Sequence, residues 1–302
     1  MRKLLVALGL CSIALIAGLF VPQVQPNALV SPVFGQISIA DNLWLPEVRA
    51  SEESGPTLTA RSAFFVDTQT AQVLFEKNSH LRLPIASLAK IMTVIVTLEN
   101  KKFTDQVSIS NRAAEMEPDK MLLIGGESLS VEELLDGVFL VSANDAAEAL
   151  AEAVTGQRDD FIPLMNLKAK QLGMKDTLFI NPTGLEEDGA EQFSSAYDVA
   201  LMSRFAIQKW PHLVDISSRE HILFDKTPTH QDYDLYSGIN LLSTYPGVVG
   251  FKTGFTPEAG LTLVTLARKQ GKEVLGVLLG STNRRDDART LLDYSFTKLS
   301  IQ

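Results

Sequence analysis

The stretch Pro84-Ile85-Ala86-Ser87-Leu88-Ala89-Lys90-Ile91-Met92-Thr93-Val94-Ile95-Val96-Thr97-Leu98-Glu99 places a buried helix inside a folded domain. From Ser87 onward, Leu88, Ala89, Ile91, Met92, Val94, Ile95, Val96 and Leu98 are apolar on every face, and a helix apolar all round is an interior one. Ser87 and Lys90 stand three apart, so both side chains fall on one face of its first turn. A lysine in so apolar a helix needs a reason to be there. A hydroxyl is a weak nucleophile until a neighbouring base takes its proton. A lysine becomes that base when burial and a nearby cation lower its pKa. The helix N-terminus adds backbone N–H groups that favour developing negative charge. Taken alone, the S-x-x-K pattern also fits a helix cap followed by a surface lysine.

Working outward, Ser62-Ala63-Phe64-Phe65-Val66 and Gln72-Val73-Leu74-Phe75-Glu76 flank the turn Asp67-Thr68-Gln69-Thr70-Ala71, which predicts a hairpin ahead of the helix. Ser130 and Glu133 form a capping box that opens a helix through Leu134, Leu135 and Val138 towards Ser142. A further helix is predicted over Asp145 to Val154, and Ser195 with Asp198 marks another start ahead of Val199-Ala200-Leu201-Met202. Val248 to Thr253, Leu261 to Ala267 and Glu273 to Leu279 are short apolar runs that read as strands, and a last helix covers about Asp286 to Lys298. Strands at both ends with helices between them imply an α+β domain whose sheet is closed by chain ends that meet in space.

The chain has 302 residues, 45% hydrophobic and 21% charged, the profile of a folded soluble domain. A net charge of -9 and a pI near 5.0 argue against a nucleic-acid partner, which needs a basic surface. Arg2 and Lys3 precede an uncharged, predominantly apolar run from Leu4 to Val21, the pattern of a signal peptide or an N-terminal membrane anchor over residues 1–21. The basic start favours an N-terminus kept in the cytoplasm with the rest outside. No clean A-x-A site follows, although cleavage after Ala28 in Pro26-Asn27-Ala28 is an option. The single cysteine, Cys11, sits within the run, too early and behind too large a residue (Leu10) to be lipidated. The exported part therefore has neither disulfides nor a thiol nucleophile. Residues 22–57, with Pro22, Pro26, Pro32, Pro46 and Pro56 and no sustained period, read as a linker, and the catalytic domain as 58–302.

Two more short motifs matter. Ser142-Ala143-Asn144 lies between two predicted helices, where small polar residues are ordinarily caps and turns. Lys252-Thr253-Gly254 closes the strand that follows Gly247-Val248-Val249-Gly250-Phe251, where it also fits an ordinary strand end with an exposed lysine.

S-x-x-K, S-x-N and K-T-G in that order form the signature of penicillin-binding proteins and β-lactamases. The order and separation here resemble the D-alanyl-D-alanine carboxypeptidase family of low-molecular-weight penicillin-binding proteins. The resemblance runs over residues 60 to 298. It takes in Phe64-Phe65-Val66-Asp67, Gln72 to Asn78, Leu83 to Thr93, Ser142 to Ala147, and Asn181-Pro182-Thr183-Gly184-Leu185. Gly250 to Thr256 with Ala259-Gly260, and Leu291 to Phe296, complete it. It implies the penicillin-binding-protein/β-lactamase-like α+β fold, an antiparallel sheet flanked by helices plus a mainly helical subdomain. It also implies a serine-type carboxypeptidase that trims the terminal D-Ala from peptidoglycan stem peptides.

In that family's terms Ser87 attacks the D-Ala-D-Ala carbonyl and forms an acyl-enzyme, with Lys90 as its base. Ser142 relays a proton to the leaving amine, and Asn144 holds Lys90 and the substrate amide. Lys252 and Thr253 bind the terminal carboxylate, and Gly254 lets the substrate lie along the strand edge. The backbone N–H groups of Ser87 and Phe255 form the oxyanion hole. An arginine ahead of the last helix supports the carboxylate site, and Arg284 fits its spacing best, with Arg285 the alternate. Thr183 and Thr262 stand where family members often carry His, and Cys or Asn. The β-rich C-terminal domain of many family members is expected to be missing.

Implied partners are stem peptides ending in D-Ala-D-Ala and β-lactam antibiotics as covalent inhibitors, with the membrane reached through the N-terminal segment. Implied localisation is extracytoplasmic, in a periplasm or at the cell surface, and no cofactor is called for. A D,D-endopeptidase uses the same residues. A β-lactamase needs a glutamate in an E-x-x-L-N context, which the region of Glu186 and Glu187 lacks, and a non-catalytic binding module is expected to have lost a catalytic side chain. His80, His212, His221 and His230 show no metal-ligand spacing.

Overall fold

A computed structural model describes residues 44–47, 55–187 and 192–300, all within one unit that spans Ile39–Gln302. The Leu4–Val21 run, Cys11 and most of the stretch read as a linker lie outside the described residues. Among the described residues, no helix is long and apolar enough to cross a membrane.

The hairpin strands are β1 (Ser62–Asp67) and β2 (Val73–Lys77). A 3-10 turn at Ala86–Ala89 leads into α1 (Lys90–Asn100). The middle of the chain builds β3 (Gln106–Ser108), α2 (Asn111–Ala114), β4 (Ser128–Ser130), α3 (Val131–Leu140), α4 (Asn144–Thr155) and α5 (Arg158–Gln171). It continues with α6 (Ala196–Lys209), α7 (His212–Ser217), the pair β5 (His221–Phe224) and β6 (Tyr233–Tyr236), and α8 (Leu241–Thr244). Strands β7 (Val248–Thr256), β8 (Gly260–Lys269) and β9 (Lys272–Ser281) precede α9 (Arg284–Ser300).

The main sheet is antiparallel in the order β2-β1-β9-β8-β7. The first strand pairs with the last, Ser62 opposite Leu279 and Asp67 opposite Val274, so the chain ends meet as their patterning requires. The carboxylate of Asp287, at the start of α9, fastens this closure. It accepts from the N–H groups of Thr59 and Ala60 and the hydroxyls of Thr59 and Ser281, all within 2.6–2.9 Å. Charge-assisted hydrogen bonds of this kind contribute about 1.5–3 kcal/mol each.

The sheet separates two apolar cores. Ala63, Phe65, Leu263, Val274 and Leu278 face Leu291, Leu292 and Phe296 of α9. Phe64, Val66, Val264, Leu275 and Val277 share the larger core with the helices. In the middle of that core lies α1, buried from Lys90 to Leu98. The capping box of α3 is present, with Ser130 and Glu133 bonding reciprocally.

Three local features depart from the simple expectation. The helix that carries Ser87 and Lys90 opens with the 3-10 turn rather than as regular α-helix, because Ala86 adopts φ +49 and the chain must turn sharply out of Ile85. At the start of α6 the Ser195 hydroxyl caps Asp198 N–H, but the Asp198 carboxylate turns away to Asp176 N–H and the Thr177 hydroxyl, so the reciprocal half of that box is absent. Within the stretch read as a linker, Trp44 lies under the Arg204 guanidinium at 4.3 Å, and the Pro46 carbonyl accepts from the Tyr197 hydroxyl at 3.2 Å. An isolated Trp–Pro segment binds through these contacts without any helical or strand period to announce it.

Candidate active site

The positive φ of Ala86 aims Ser87 out of the 3-10 turn, half exposed, while Lys90 at the head of α1 is completely buried. Lys90 Nζ lies 2.9 Å from Ser87 Oγ. It also donates to Asn144 Oδ1 at 2.7 Å and to the Thr183 carbonyl at 2.6 Å. Three oxygens therefore fix the amine against the serine. Burial drives the Lys90 pKa down from 10.5 to about 7, against the upward pull of the Asp119 and Asp145 carboxylates. An amine with that pKa is largely free to take a proton near neutrality.

The second wall comes from the junction of α3 and α4. Ser142 sits in the left-handed region at φ +60, which turns its hydroxyl towards β7, where it accepts from Lys252 Nζ at 2.8 Å. Asn144, buried at the first turn of α4, gives its carbonyl to Lys90 and one amide hydrogen to the Pro118 carbonyl at 2.6 Å. Its second amide hydrogen is left for another acceptor.

The third wall is β7, which ends the sheet order, so its outer edge has no strand partner among the described residues. Alternation sends Lys252 and Gly254 to the helical side. Lys252 is 1% exposed and also donates to the Thr253 carbonyl at 2.8 Å. Its pKa is pushed well below the usual lysine value, first by burial and then by the charges of Lys90 and Arg284, with Asp119 opposing. Two ammonium groups in one dry site oppose each other's charging. Thr253 is half buried, and the Phe255 ring is 61% exposed on the other face.

Gly254 meets a steric demand of its own on the inner face of the strand. A Cβ there would lie 2.9 Å from Ser87 N, 2.6 Å from Thr262 Oγ1 and 3.2 Å from Ala86 Cβ. The glycine lets the strand pack against the backbone of Ser87 on the inner face. Between the two arginines, Arg284 donates from Nη1 to the Gly254 carbonyl at 2.9 Å and the Thr262 carbonyl at 3.3 Å. Arg285 is half exposed and paired with Asp286. The arginine that reaches the site is therefore Arg284.

Two contributors escaped the sequence reading. One is the Thr183 carbonyl, a backbone group that no side-chain motif reveals. Its signal was Asn181-Pro182-Thr183-Gly184, in which Asn181 Oδ1 gathers the N–H groups of Thr183 and Gly184 and the Thr183 hydroxyl. The Pro182 carbonyl binds the Thr93 hydroxyl of α1 at 2.6 Å. Gly184, at φ +86, comes so close to Ala86 that a Cβ would lie 2.0 Å from its carbonyl oxygen. The other is Asp119, an exposed carboxylate whose charge acts on both active-site lysines.

The model of the D-alanyl-D-alanine carboxypeptidase family matches residues 49–283. The chain is 36% identical over 247 residues to the D-alanyl-D-alanine carboxypeptidase DacF of Bacillus subtilis, covering 79% of this chain and 62% of that one. With DacC of Escherichia coli the identity is 34% over 270 residues, covering 84% and 66%. The chain thus spans a little under two thirds of the length of these two relatives. Penicillin-binding protein D2 of Listeria monocytogenes, solved in its cefotaxime-bound form, superposes with a TM-score of 0.68 at 29% identity over 81% of this chain and 100% of that one. The architecture is the α+β fold of the penicillin-binding proteins, as the motif order implies. A family match that extends over most of the chain makes it a member of the D-alanyl-D-alanine carboxypeptidase family.

Proposed function

We propose that this protein is a serine D-Ala-D-Ala carboxypeptidase that removes the terminal D-Ala from peptidoglycan stem peptides outside the cytoplasm, secreted or held there by its N-terminal apolar segment. The observation that carries the reading is the fully buried Lys90 amine, 2.9 Å from Ser87 Oγ, with a pKa lowered to about 7. Neutral Lys90 takes the Ser87 proton as Oγ attacks the carbonyl carbon of the D-Ala-D-Ala bond. The N–H groups of Ser87 and Phe255 receive the oxyanion. When the C–N bond breaks, a proton passes through Ser142 to the leaving amine and D-Ala departs. Water then attacks the acyl-enzyme and gives a proton to Lys90, and as the acyl–Oγ bond breaks Lys90 passes that proton to Ser87 Oγ, which releases the shortened peptide and restores both groups.

The terminal carboxylate meets Lys252, Thr253 and Arg284. An arriving carboxylate favours the charged form of Lys252, and that charge in turn favours the neutral form of Lys90, so the correct substrate readies the base that attacks it.

Listeria penicillin-binding protein D2 is solved with cefotaxime bound, and a β-lactam amide presents Ser87 with the same electrophile. A fluorescent penicillin is therefore expected to label the protein covalently, with mass spectrometry placing the adduct on Ser87. No adduct on the folded protein, or one on another residue, sinks the reading. The adduct is expected to persist, because the two nearby glutamates are engaged elsewhere. Glu187 binds Arg158 and Asn181, and Glu186 accepts from the Thr256 hydroxyl. A defined pentapeptide and a cross-linked dimer, with products identified, separate terminal trimming from cross-link cleavage.

Lys252→Gln tests the carboxylate clamp. A charge-assisted hydrogen bond is worth roughly 1.5–3 kcal/mol, so kcat/KM for a D-Ala-D-Ala peptide is expected to fall about ten- to a hundredfold. A small thioester that lacks the carboxylate should lose much less. Equal losses on both substrates would make base activation, not clamping, the main role of Lys252.

A further inference from the structure

Helix α4 reaches Lys90 by two routes. Asn144, in its first turn, accepts from Lys90 Nζ directly at 2.7 Å. Glu148 stands four residues on, on the same face of the helix, and starts the second route. Its carboxylate is fully enclosed, with Arg112 Nη2 2.8 Å and Arg158 Nε 3.9 Å from Oε1. Arg158, the first residue of α5, pairs in turn through Nη2 with Glu187 Oε1. The same Glu187 oxygen accepts from Asn181 Nδ2 at 3.2 Å. Asn181 Oδ1 gathers the Gly184 N–H at 2.7 Å and the Thr183 N–H at 3.2 Å, and the Thr183 carbonyl accepts from Lys90 Nζ at 2.6 Å.

The chemistry of each link gives it a direction. A side-chain amide has two orientations of nearly the same shape, whereas a carboxylate only accepts. Glu187, together with the Leu185 carbonyl at 2.8 Å, therefore keeps Nδ2 of Asn181 on its own side and turns Oδ1 towards the two backbone N–H groups. Asn181 is 1% exposed, where an unpaired amide hydrogen is costly. The bonds to Oδ1 shape the turn at Thr183-Gly184, which brings Gly184, at φ +86, against the Ala86 carbonyl. Two of the three groups that hold Lys90 Nζ thus trace to α4, one through Asn144 and one through Glu148, and the third is Ser87 itself.

We propose that Glu187 is a positioning residue for Lys90: through Asn181 it holds the turn whose Thr183 carbonyl sets the amine beside Ser87 Oγ. The inference deepens the acyl-serine reading above and rests on it. Arg158 and Glu148 tie Glu187 back to α5 and α4, so the amine is fixed relative to both helices. Glu187 serves the geometry of the base, not the water that clears the acyl-enzyme.

The test compares wild type, Glu187→Ala, Glu187→Gln, Asn181→Ala and the double variant Glu187→Ala with Asn181→Ala across pH. The readouts are Ser87 acylation by a fluorescent penicillin, release of the adduct, turnover of a D-Ala-D-Ala peptide, and the melting transition. The Glu187 side chain is 41% exposed, so its variants are expected to fold. A carbonyl that accepts from an ammonium favours the charged form. With the Thr183 carbonyl loosened, the acid limb of acylation is expected to move about half a unit to lower pH. The plateau above that limb should fall about three- to tenfold. Asn181→Ala, which changes no charge, should do the same, and the double variant should be no slower than Asn181→Ala alone. Glu187→Gln keeps an acceptor for Asn181 and should follow wild type. The charges that act on Lys90 or face it, Asp119, Asp145 and Lys252, are kept in every variant. A wild-type limb and plateau in Glu187→Ala overturn the inference, whatever the melting transition does. So do losses that multiply in the double variant, and a Glu187→Gln enzyme that follows Glu187→Ala, since charge would then be responsible. A Glu187→Ala enzyme that is acylated normally but slow to release the adduct also overturns it, by placing Glu187 at the water. If Asn181→Ala fails to fold, the contrast of Glu187→Ala with Glu187→Gln decides alone. Wild type that is acylated by penicillin but leaves the peptide intact overturns the carboxypeptidase reading alone, and the acylation limbs still decide the role of Glu187.

Discussion

Replacing Lys90 by methionine is expected to slow acylation of Ser87 by penicillin about a thousandfold, while the protein stays folded. A positioned general base contributes about a hundred- to ten-thousandfold, and no other side chain has its nitrogen within hydrogen-bonding distance of Ser87 Oγ among the described residues. The methionine fills most of the same volume in a site that is fully enclosed. It removes a group whose charging opposes folding and leaves Asn144 Oδ1 and the Thr183 carbonyl without their shared donor, so the two effects on stability work against each other. Acylation is read by stopped-flow fluorescence, with the melting transition as a control for folding. A loss of less than tenfold in a folded variant would remove Lys90 from the role of base. The pH dependence has a definite sign. As the proposed base Lys90 acts when neutral, and burial lowers its pKa to about 7, so kcat/KM should rise with pH through that region, and the acid limb should be missing from whatever activity remains in Lys90→Met.

The side chains of the site were legible because they form short motifs on elements with strong patterns. Ser87 and Lys90 stand at the head of a mostly apolar helix, and Lys252 to Gly254 follow the apolar start of their strand. What the patterns do not carry is backbone. The Thr183 carbonyl and the φ +49 of Ala86 shape the site through the main chain, and a sequence presents main-chain atoms identically at every position. Asp119 belongs to a third kind, a charged loop residue that looks like any solvated one until the fold brings Asn144 against it. Elements were missed for a related reason. Helix α5 buries only Phe161, Met165 and Ala169, one residue per turn, and carries Pro163 inside it. The β5–β6 pair is split by a polar connection from Asp225 to Asp232 that weakens any hairpin signal. The segment at Trp44 makes its ring and carbonyl contacts without any helical or strand period.

The second large effect is expected from Gly254→Ala, a change of one methyl group on the strand beside the nucleophile. The added Cβ meets Ser87 N at 2.9 Å and Thr262 Oγ1 at 2.6 Å, closer than real side chains settle against such atoms. Thr262 has some freedom, since among the described residues its hydroxyl hydrogen-bonds the Ile85 carbonyl alone, at 3.2 Å. Ser87 N has much less, because it belongs to the 3-10 turn, and that turn is locked from behind by Gly184 against the Ala86 carbonyl. Strain therefore falls on the N–H proposed as one oxyanion donor, or lifts the end of β7 that carries the other at Phe255. Losing one preorganised donor costs about a hundred- to a thousandfold in rate, and that is the expected fall in both penicillin acylation and peptide turnover. Lys90 is untouched by the change, so the acid limb near pH 7 should stay where it is, which separates a displaced oxyanion hole from a damaged base. The double variant Gly254→Ala with Thr262→Ala relieves the flexible contact and keeps the rigid one. If the double variant recovers wild-type rates, Thr262 and not the Ser87 backbone is what demands glycine; if it stays slow, the nucleophile's own N–H sets that demand.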